Sequence, residues 1–317
     1  MLHTVFYLVL NMSIVSCLVI VVLLVLRQIK SLKRGVVYPL WSFAFLRMII
    51  PFTFATPWSL FNYTGKLVKR LLTVEVISGG TISSPSSDKL LTMNVIGVAD
   101  EYFPIVYKSE ILHQVFDYAS VVWLIIASAM IIAALVLYLL TRKELKQALP
   151  IRDNLYHSST LLSPVIVGIV KARVIIPDFL DPDSAECQII LQHENVHRRR
   201  WDNLWRIVAI TLTCIHWFNP LAWLSLKAFF TDMEQSCDEE VVKGYNQAER
   251  ATYARTLLRY AENNRLLLAT AFGNVTVKTR IVNVLNYKRL TLFGTFVSTL
   301  LLLIIAVVLL TNPQLKG

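Results

Sequence analysis

Two histidines four residues apart, in His193-Glu194-Asn195-Val196-His197, are the residues of this chain whose types and spacing best suit chemistry. On an α-helix, positions i and i+4 share a face, so both imidazoles can reach one metal ion. Glu194 projects from nearly the same side and can take a proton from a water activated there without ligating the ion. This is the H-E-x-x-H spacing of zinc hydrolases. A third ligand is needed, and Glu234-Gln235-Ser236-Cys237-Asp238 begins thirty-seven residues after His197. Glu234 and Asp238 again fall on one helical face. That pairing offers a carboxylate ligand and, one turn later, a second carboxylate to orient a histidine. The expected site is Zn2+ held by His193, His197 and Glu234, with Glu194 as general base and Asp238 behind the ligands. The bland alternative is a surface helix whose histidines are merely solvated; the placement of the second motif weighs against it.

The elements that must carry these residues belong to a chain unlike a soluble globule. It has 317 residues, of which 55% are hydrophobic and 16% charged, with a mean hydropathy of +0.56. An integral membrane protein is the class this implies. The net charge of +10 follows membrane topology rather than pointing to direct nucleic-acid binding. Cys17, Cys187, Cys214 and Cys237 form no C-x-x-C pair, and reduced thiols are expected.

Four spans are predicted. Residues 5–26 are long enough to cross a hydrocarbon core and are followed by Arg27, Lys30, Lys33 and Arg34, which puts this loop in the cytoplasm and the N-terminus outside. Because the positive charge follows the apolar run, a retained span fits better than a cleaved signal peptide. Residues 37–54 return outward, with Arg47 inside the run. That arginine should face protein or water, or else snorkel to a headgroup. Pro51 is expected to kink the helix. Residues 57–114 carry five basic and five acidic side chains and suit an outside loop with a flexible Ser/Gly centre. Within it, Ser86-Ser87-Asp88-Lys89 matches S-x-x-K by coincidence, since no partner motif accompanies it. Residues 121–140 form a third span and 290–310 a fourth. The domain plan is therefore 1–140 with three spans, a cytoplasmic domain at 141–289, and 290–317 with the last span and a short outside tail.

The cytoplasmic domain carries both motifs, 20 basic residues and 15 acidic ones. β-Branched runs at 164–170 and 173–176 predict a hairpin or two sheet strands. Asp183 is expected to cap the following helix, with Glu186 at the capping-box position. Ile190, His193, His197 and Trp201 repeat along one face of that helix. Arg198, Arg199 and Arg200 at its end are expected to meet water or lipid phosphate. Residues 204–230 are apolar enough for another crossing, yet a crossing would separate His197 from Glu234 across the bilayer. Asn219-Pro220 instead marks a turn, giving a membrane-interface hairpin at 203–232, out over 203–218 and back over 221–232. His216 at its tip is read as structural. Residues 250–263 read as an amphipathic helix with Tyr253, Leu257 and Tyr260 along one side, and 266–278 as a cleavable tether. A substrate strand is expected to pair with an edge strand from 164–176.

Taken together, His193–His197, Trp217-Phe218-Asn219-Pro220, Glu234-Gln235-Ser236-Cys237-Asp238-Glu239 and Leu46-Arg47 with Pro51 resemble the BlaR/MecR family of membrane zinc metallopeptidases, the antirepressors of bacterial β-lactam resistance. The resemblance implies a mainly α integral membrane protein of four transmembrane helices, with a cytoplasmic, gluzincin-like α+β protease domain. It implies Zn2+ on His193, His197 and Glu234, Glu194 as base, Asp238 supporting the ligands, autoproteolysis, and loss of a cytoplasmic repressor as output. Family members that sense β-lactams carry an extracellular penicillin-binding domain after the last span, whereas this sequence ends seven residues after Leu310. The expectation is that a separate sensor protein or the 57–114 loop supplies the input. The lipid bilayer and a second copy of the chain complete the expected partners. Two other readings stand beside this one: a quality-control or prenyl-protein protease of the HtpX/Ste24 type, and a non-proteolytic transducer in which zinc only staples the domain.

Overall fold

The computed structural model describes residues 2–29, 32–50, 110–152, 154–161, 163–168, 173–261 and 277–288, with isolated positions 294, 300 and 304. The Ser86–Lys89 motif, Pro51, the span at 290–310 and most of the 57–114 loop and the 266–278 tether lie outside the described residues. Helix α1, Leu2–Leu26, contains no charged side chain, and α3, Glu110–Glu144, is 35 residues long. Among the described residues, two stretches are long and apolar enough to cross a membrane, Leu2–Leu26 and Gln114–Lys143. Residues 110–114, expected at the end of the loop, already belong to α3. Helix α2, Arg34–Ile49, has 16 residues, which at 1.5 Å rise is about 24 Å and short of a crossing by itself. Arg47 is 3% exposed, so it faces protein rather than a headgroup.

The chain forms two compact units. One takes in Met1–Val22, Ser42–Ile126 and Phe296–Gly317; the other takes in Leu23–Trp41 and Ala127–Thr295 and carries the candidate site. In the second unit, a four-stranded sheet has the order β1-β2-β4-β3: β1 is Leu149–Arg152, β2 Leu155–Ser158, β3 Val165–Val167 and β4 Arg173–Pro177. β3 and β4 pair antiparallel, as the β-branched runs predicted, while β2 and β4 are parallel. β1 and β2 left no clear signal, because β1 is exposed along its whole length and contains Pro150.

Helix α4, Ala185–Arg200, starts at Ser184, whose hydroxyl accepts from the Cys187 amide at 3.1 Å. The expected cap, Asp183, is displaced from that role; its carboxylate pairs with Arg152 at 3.2 Å, and serine one residue later is in register with the amide. The helix ends at Trp201, whose φ of 59° is left-handed and reverses the chain. Trp201 therefore leaves the His193/His197 face and is 50% exposed.

Helices α5, Asp202–Ile215, and α6, Pro220–Val241, form a helical hairpin with its turn at Asn219-Pro220, and the return helix extends beyond the expected end at 232. Its turn is fixed by Asn219 Oδ1 accepting from the Leu221 amide at 2.9 Å and by Pro220 in the first turn of α6. His216 is fully buried at the turn. Because α6 runs past Asp232 to Val241, Glu234 and Asp238 share one rigid element. Helices α7, Gln247–Ala261, and α8, Val277–Leu285, complete the unit. Val196, Cys237, Val241, Tyr253, Ala254 and Val284 make a core joining α4, α6, α7 and α8. Leu155, Ile176, Cys187, Ile190 and Tyr260 pack the sheet against α4 and α7. Burial of these side chains, each worth about 1.5–3 kcal/mol for the larger aliphatics, holds the four helices in register behind the site.

Candidate metal centre

The i, i+4 spacing on α4 does what helix geometry requires: Nε2 of His193 and Nε2 of His197 are 3.2 Å apart, with the rings nearly perpendicular at 83°. Helix α6 brings Glu234 to the same point, Oε2 lying 3.6 Å from His193 Nε2 and Oε1 3.7 Å from His197 Nε2. Donors bound tetrahedrally at 2.0–2.2 Å would be about 3.3–3.6 Å apart. The three side chains therefore fit a divalent cation. Glu194 is half-buried on the same helix.

Each imidazole is held from behind. His197 Nδ1 lies 2.6 Å from Oδ2 of Asp202, the first residue of α5, whose side chain is fully buried. His193 Nδ1 lies 2.9 Å from the hydroxyl of Tyr253 on α7, which donates to Asp238 Oδ1 at 2.7 Å. Asp238 is itself 3.5 Å from His193 Nδ1, so it acts on that ring chiefly through the phenol. From α8, Arg280 donates to both oxygens of Asp238 at 2.8 and 2.7 Å and approaches Glu234 Oε2 at 3.3 Å. Arg206 of α5 donates to the other oxygen of Glu234 at 2.6 Å. Arg200, expected to meet water or lipid, instead turns inward to Asp202 at 3.0 Å and Ser236 at 3.1 Å; only Arg198 and Arg199 are exposed as expected.

The electrostatics suit a cation. Burial works against charge on His193, but the Cys237 sulfur and Glu234 override it and raise its pKa to about 10. Against the same cost of burial, Cys237, Glu234 and Asp202 raise His197 well above its ordinary range. Burial would lift Glu234, yet His197 and Arg280 hold it well below the usual carboxylate range. A pocket that draws protons onto two buried imidazoles is one in which positive charge is favoured. The Cys237 thiol, with His193 and His197, forms a second group whose donor atoms lie within 4.8 Å. Its sulfur meets Nδ1 and the carbonyl of His193, each at 3.4 Å. Glu234 lies within 3.7 Å of both Nε2 atoms, so both a His/His/Glu and a His/His/Cys donor set are assembled at this point.

The motif residues His193, His197, Glu234 and Asp238 thus come together. Asp202, Tyr253, Arg280 and Arg206 went unread. Asp202 lies five residues after His197, close enough to have been suspected. Tyr253 has the spacing of an apolar face residue, and no motif marks Arg280. At the sheet edge, the carbonyls of Ile166 and Gly168, on β3 and just beyond it, accept from Asn203 Nδ2 at 3.4 and 2.9 Å. A substrate strand pairing there would share that edge with Asn203.

The arrangement is a candidate metal-binding centre borne on helices, in a chain whose described residues include two membrane-length helices. Residues 7–284 match the family described as BlaR1 peptidase M56, and the chain belongs to that family. Over 141 residues it is 32% identical to the regulatory protein BlaR1 of Bacillus licheniformis, covering 42% of this chain and 24% of that protein. Over 105 residues it is 28% identical to the methicillin resistance mecR1 protein of Staphylococcus aureus, covering 32% of this chain and 18% of that protein, and a Staphylococcus epidermidis relative matches equally. The matched stretches span a quarter or less of these relatives' length.

Proposed function

We propose that the protein is a membrane-embedded zinc metallopeptidase of signal transduction, which cleaves itself, a cytoplasmic transcriptional repressor, or both. It crosses the cell membrane four times, with both termini outside and the centre on the cytoplasmic side. The observation that carries this reading is the convergence of His193 Nε2, His197 Nε2 and Glu234 within 3.2–3.7 Å. Family membership supports the peptidase activity. The regulatory and resistance names of the relatives support a signalling role.

His193, His197 and Glu234 would hold the ion. When bound, zinc supplies a Lewis acid that lowers the pKa of water towards ~7 and polarises a peptide carbonyl. Glu194 takes the proton from the attacking water and returns it to the leaving amine. Asp202 and the Tyr253–Asp238 pair fix the imidazole tautomers so that Nε2 of each ring presents its lone pair. Glu234 keeps its negative charge because His197, Arg280 and Arg206 surround it.

The test is expression in membranes of wild type beside Glu194→Ala, with a C-terminal tag and a candidate repressor present. Zinc-dependent fragments confined to wild type support the reading. Identical fragments in both would favour a transducer without proteolysis.

A further inference from the structure

We propose that Tyr38, on α2, is a positioning residue of the metal centre, acting on His197 through Asp202. The inference rests on the metallopeptidase reading and adds a part of the chain more than 150 residues from the motif.

The geometry is a two-step connection. The Tyr38 hydroxyl donates to Asp202 Oδ1 at 2.7 Å, and Asp202 Oδ2 takes His197 Nδ1 at 2.6 Å. Arg200 supplies the other donors, Nε to Oδ1 at 3.3 Å and a terminal nitrogen to Oδ2 at 3.0 Å. The torsion that rotates an aspartate carboxylate about its own axis is soft, so hydrogen bonds rather than rotamer preference set its plane. Tyr38 and Arg200 hold Oδ1, and the other oxygen is thereby aimed at the imidazole. A ring with only a packing role would need no hydroxyl. Here the ring is already accounted for, stacked on Phe229 with centroids 5.5 Å apart and lying beneath the Arg200 guanidinium at 4.4 Å.

Tyr38 is itself held in place by contacts between its helix and α6. The amides of Arg34 and Gly35 donate to Glu239 at 3.2 and 2.9 Å, so a side chain of α6 caps the start of α2. Trp41 Nε1 and Arg27 Nε both donate to the buried Asp232, at 2.9 and 2.8 Å. Asp232 and Glu239 flank Glu234 on the same helix. The beginning of α2 is thus tied to α6 on both sides of one metal ligand and, through Asp202, to another. A shift of α2 that withdrew the hydroxyl would loosen His197, and metal affinity would register it.

The experiment uses full-length protein in detergent with Co2+ as probe, its affinity read by chelator competition and its site by the visible d–d bands. Asp202→Asn should weaken binding about ten- to a hundredfold, as loss of a partner behind a metal-ligating histidine does. Tyr38→Phe, which keeps the stacked ring, should weaken it about three- to tenfold and shift the bands, since it removes one support of that partner. Adding Tyr38→Phe to Asp202→Asn should cost nothing more. Wild-type affinity and spectrum in Tyr38→Phe would overturn the proposal, as would a full additional loss in the double variant. Co2+ uptake by wild type that disappears in His193→Ala keeps the metallopeptidase reading standing whatever Tyr38→Phe does. No uptake by wild type would remove both.

Discussion

The two imidazoles of one site are supported in opposite ways. His197 leans directly on a carboxylate, Asp202, five residues further along, delivered by the chain reversal at Trp201. His193 leans on a phenol from α7, which passes its proton-donating bond to a carboxylate of α6 clamped by Arg280 of α8. The first support is local and forms as soon as α4 and α5 meet. The second exists only once three more helices have docked. One arm reaches α2 through Tyr38, and the other reaches α8 through Arg280. A carboxylate in contact also raises imidazole basicity more than a neutral phenol does, so the His197 arm should dominate metal affinity and the His193 arm should report whether the domain is assembled.

The largest expected effect removes the chemistry while leaving both arms intact. Glu194→Gln should retain metal and lose cleavage by about 10²–10⁴-fold, the usual worth of a general base. Metal analysis beside a cleavage assay checks this, and undiminished cleavage would place the base elsewhere. Next, Arg280→Ala strands Asp238, whose side chain is fully buried, and should destabilise the fold by about 3–5 kcal/mol in denaturant unfolding. A negligible change would mean that the His193 arm is not built around that ion pair. Third, the arms can be compared head to head: Asp202→Asn should weaken Co2+ binding about ten- to a hundredfold, and Tyr253→Phe by less than about tenfold. Equal losses, or the reverse order, would break the proposed asymmetry.

The smallest effect is in pH. A group whose folded pKa is raised stabilises the fold fully below its unfolded value, and the contribution is lost as pH rises through the folded value. For His193 the window runs from about 6.5 to about 10, and His197 shifts in the same direction. Metal-free protein should therefore lose thermal stability on going from pH 6.5 to 9. Apparent metal affinity should rise over the same range, because binding displaces protons from both rings. Affinity measured by Co2+ titration that stayed constant with pH would show that the rings are already neutral in the metal-free site.

Much of the fold could be read in advance where the signal was local. The hairpin at 203–232 followed from Asn219-Pro220 and the need to bring Glu234 back to His197. The strands on either side of 171–172 followed from β-branched runs. The cap at Ser184 did not, because Asp183 and Ser184 both suit the role and only backbone register selects one. Asp238 is expected from its spacing to orient a histidine, whereas the Tyr253 hydroxyl that stands between it and His193 is hidden, since Tyr253 has the spacing of an ordinary core residue.

By itself the sequence determined that His193 and His197 face the same way, because residues four apart on a helix must share a face and that geometry needs no tertiary information. It also determined the membrane-length helices, since composition alone sets whether a segment can be solvated by lipid. Only the tertiary structure decided what stands behind each ligand: Asp202 and Tyr38 behind His197, Tyr253 and Asp238 behind His193, with Arg280 arriving from 87 residues away. Such partners are chosen by how helices pack. A single polar side chain at the right point of a packed interface has no periodicity by which it could be found.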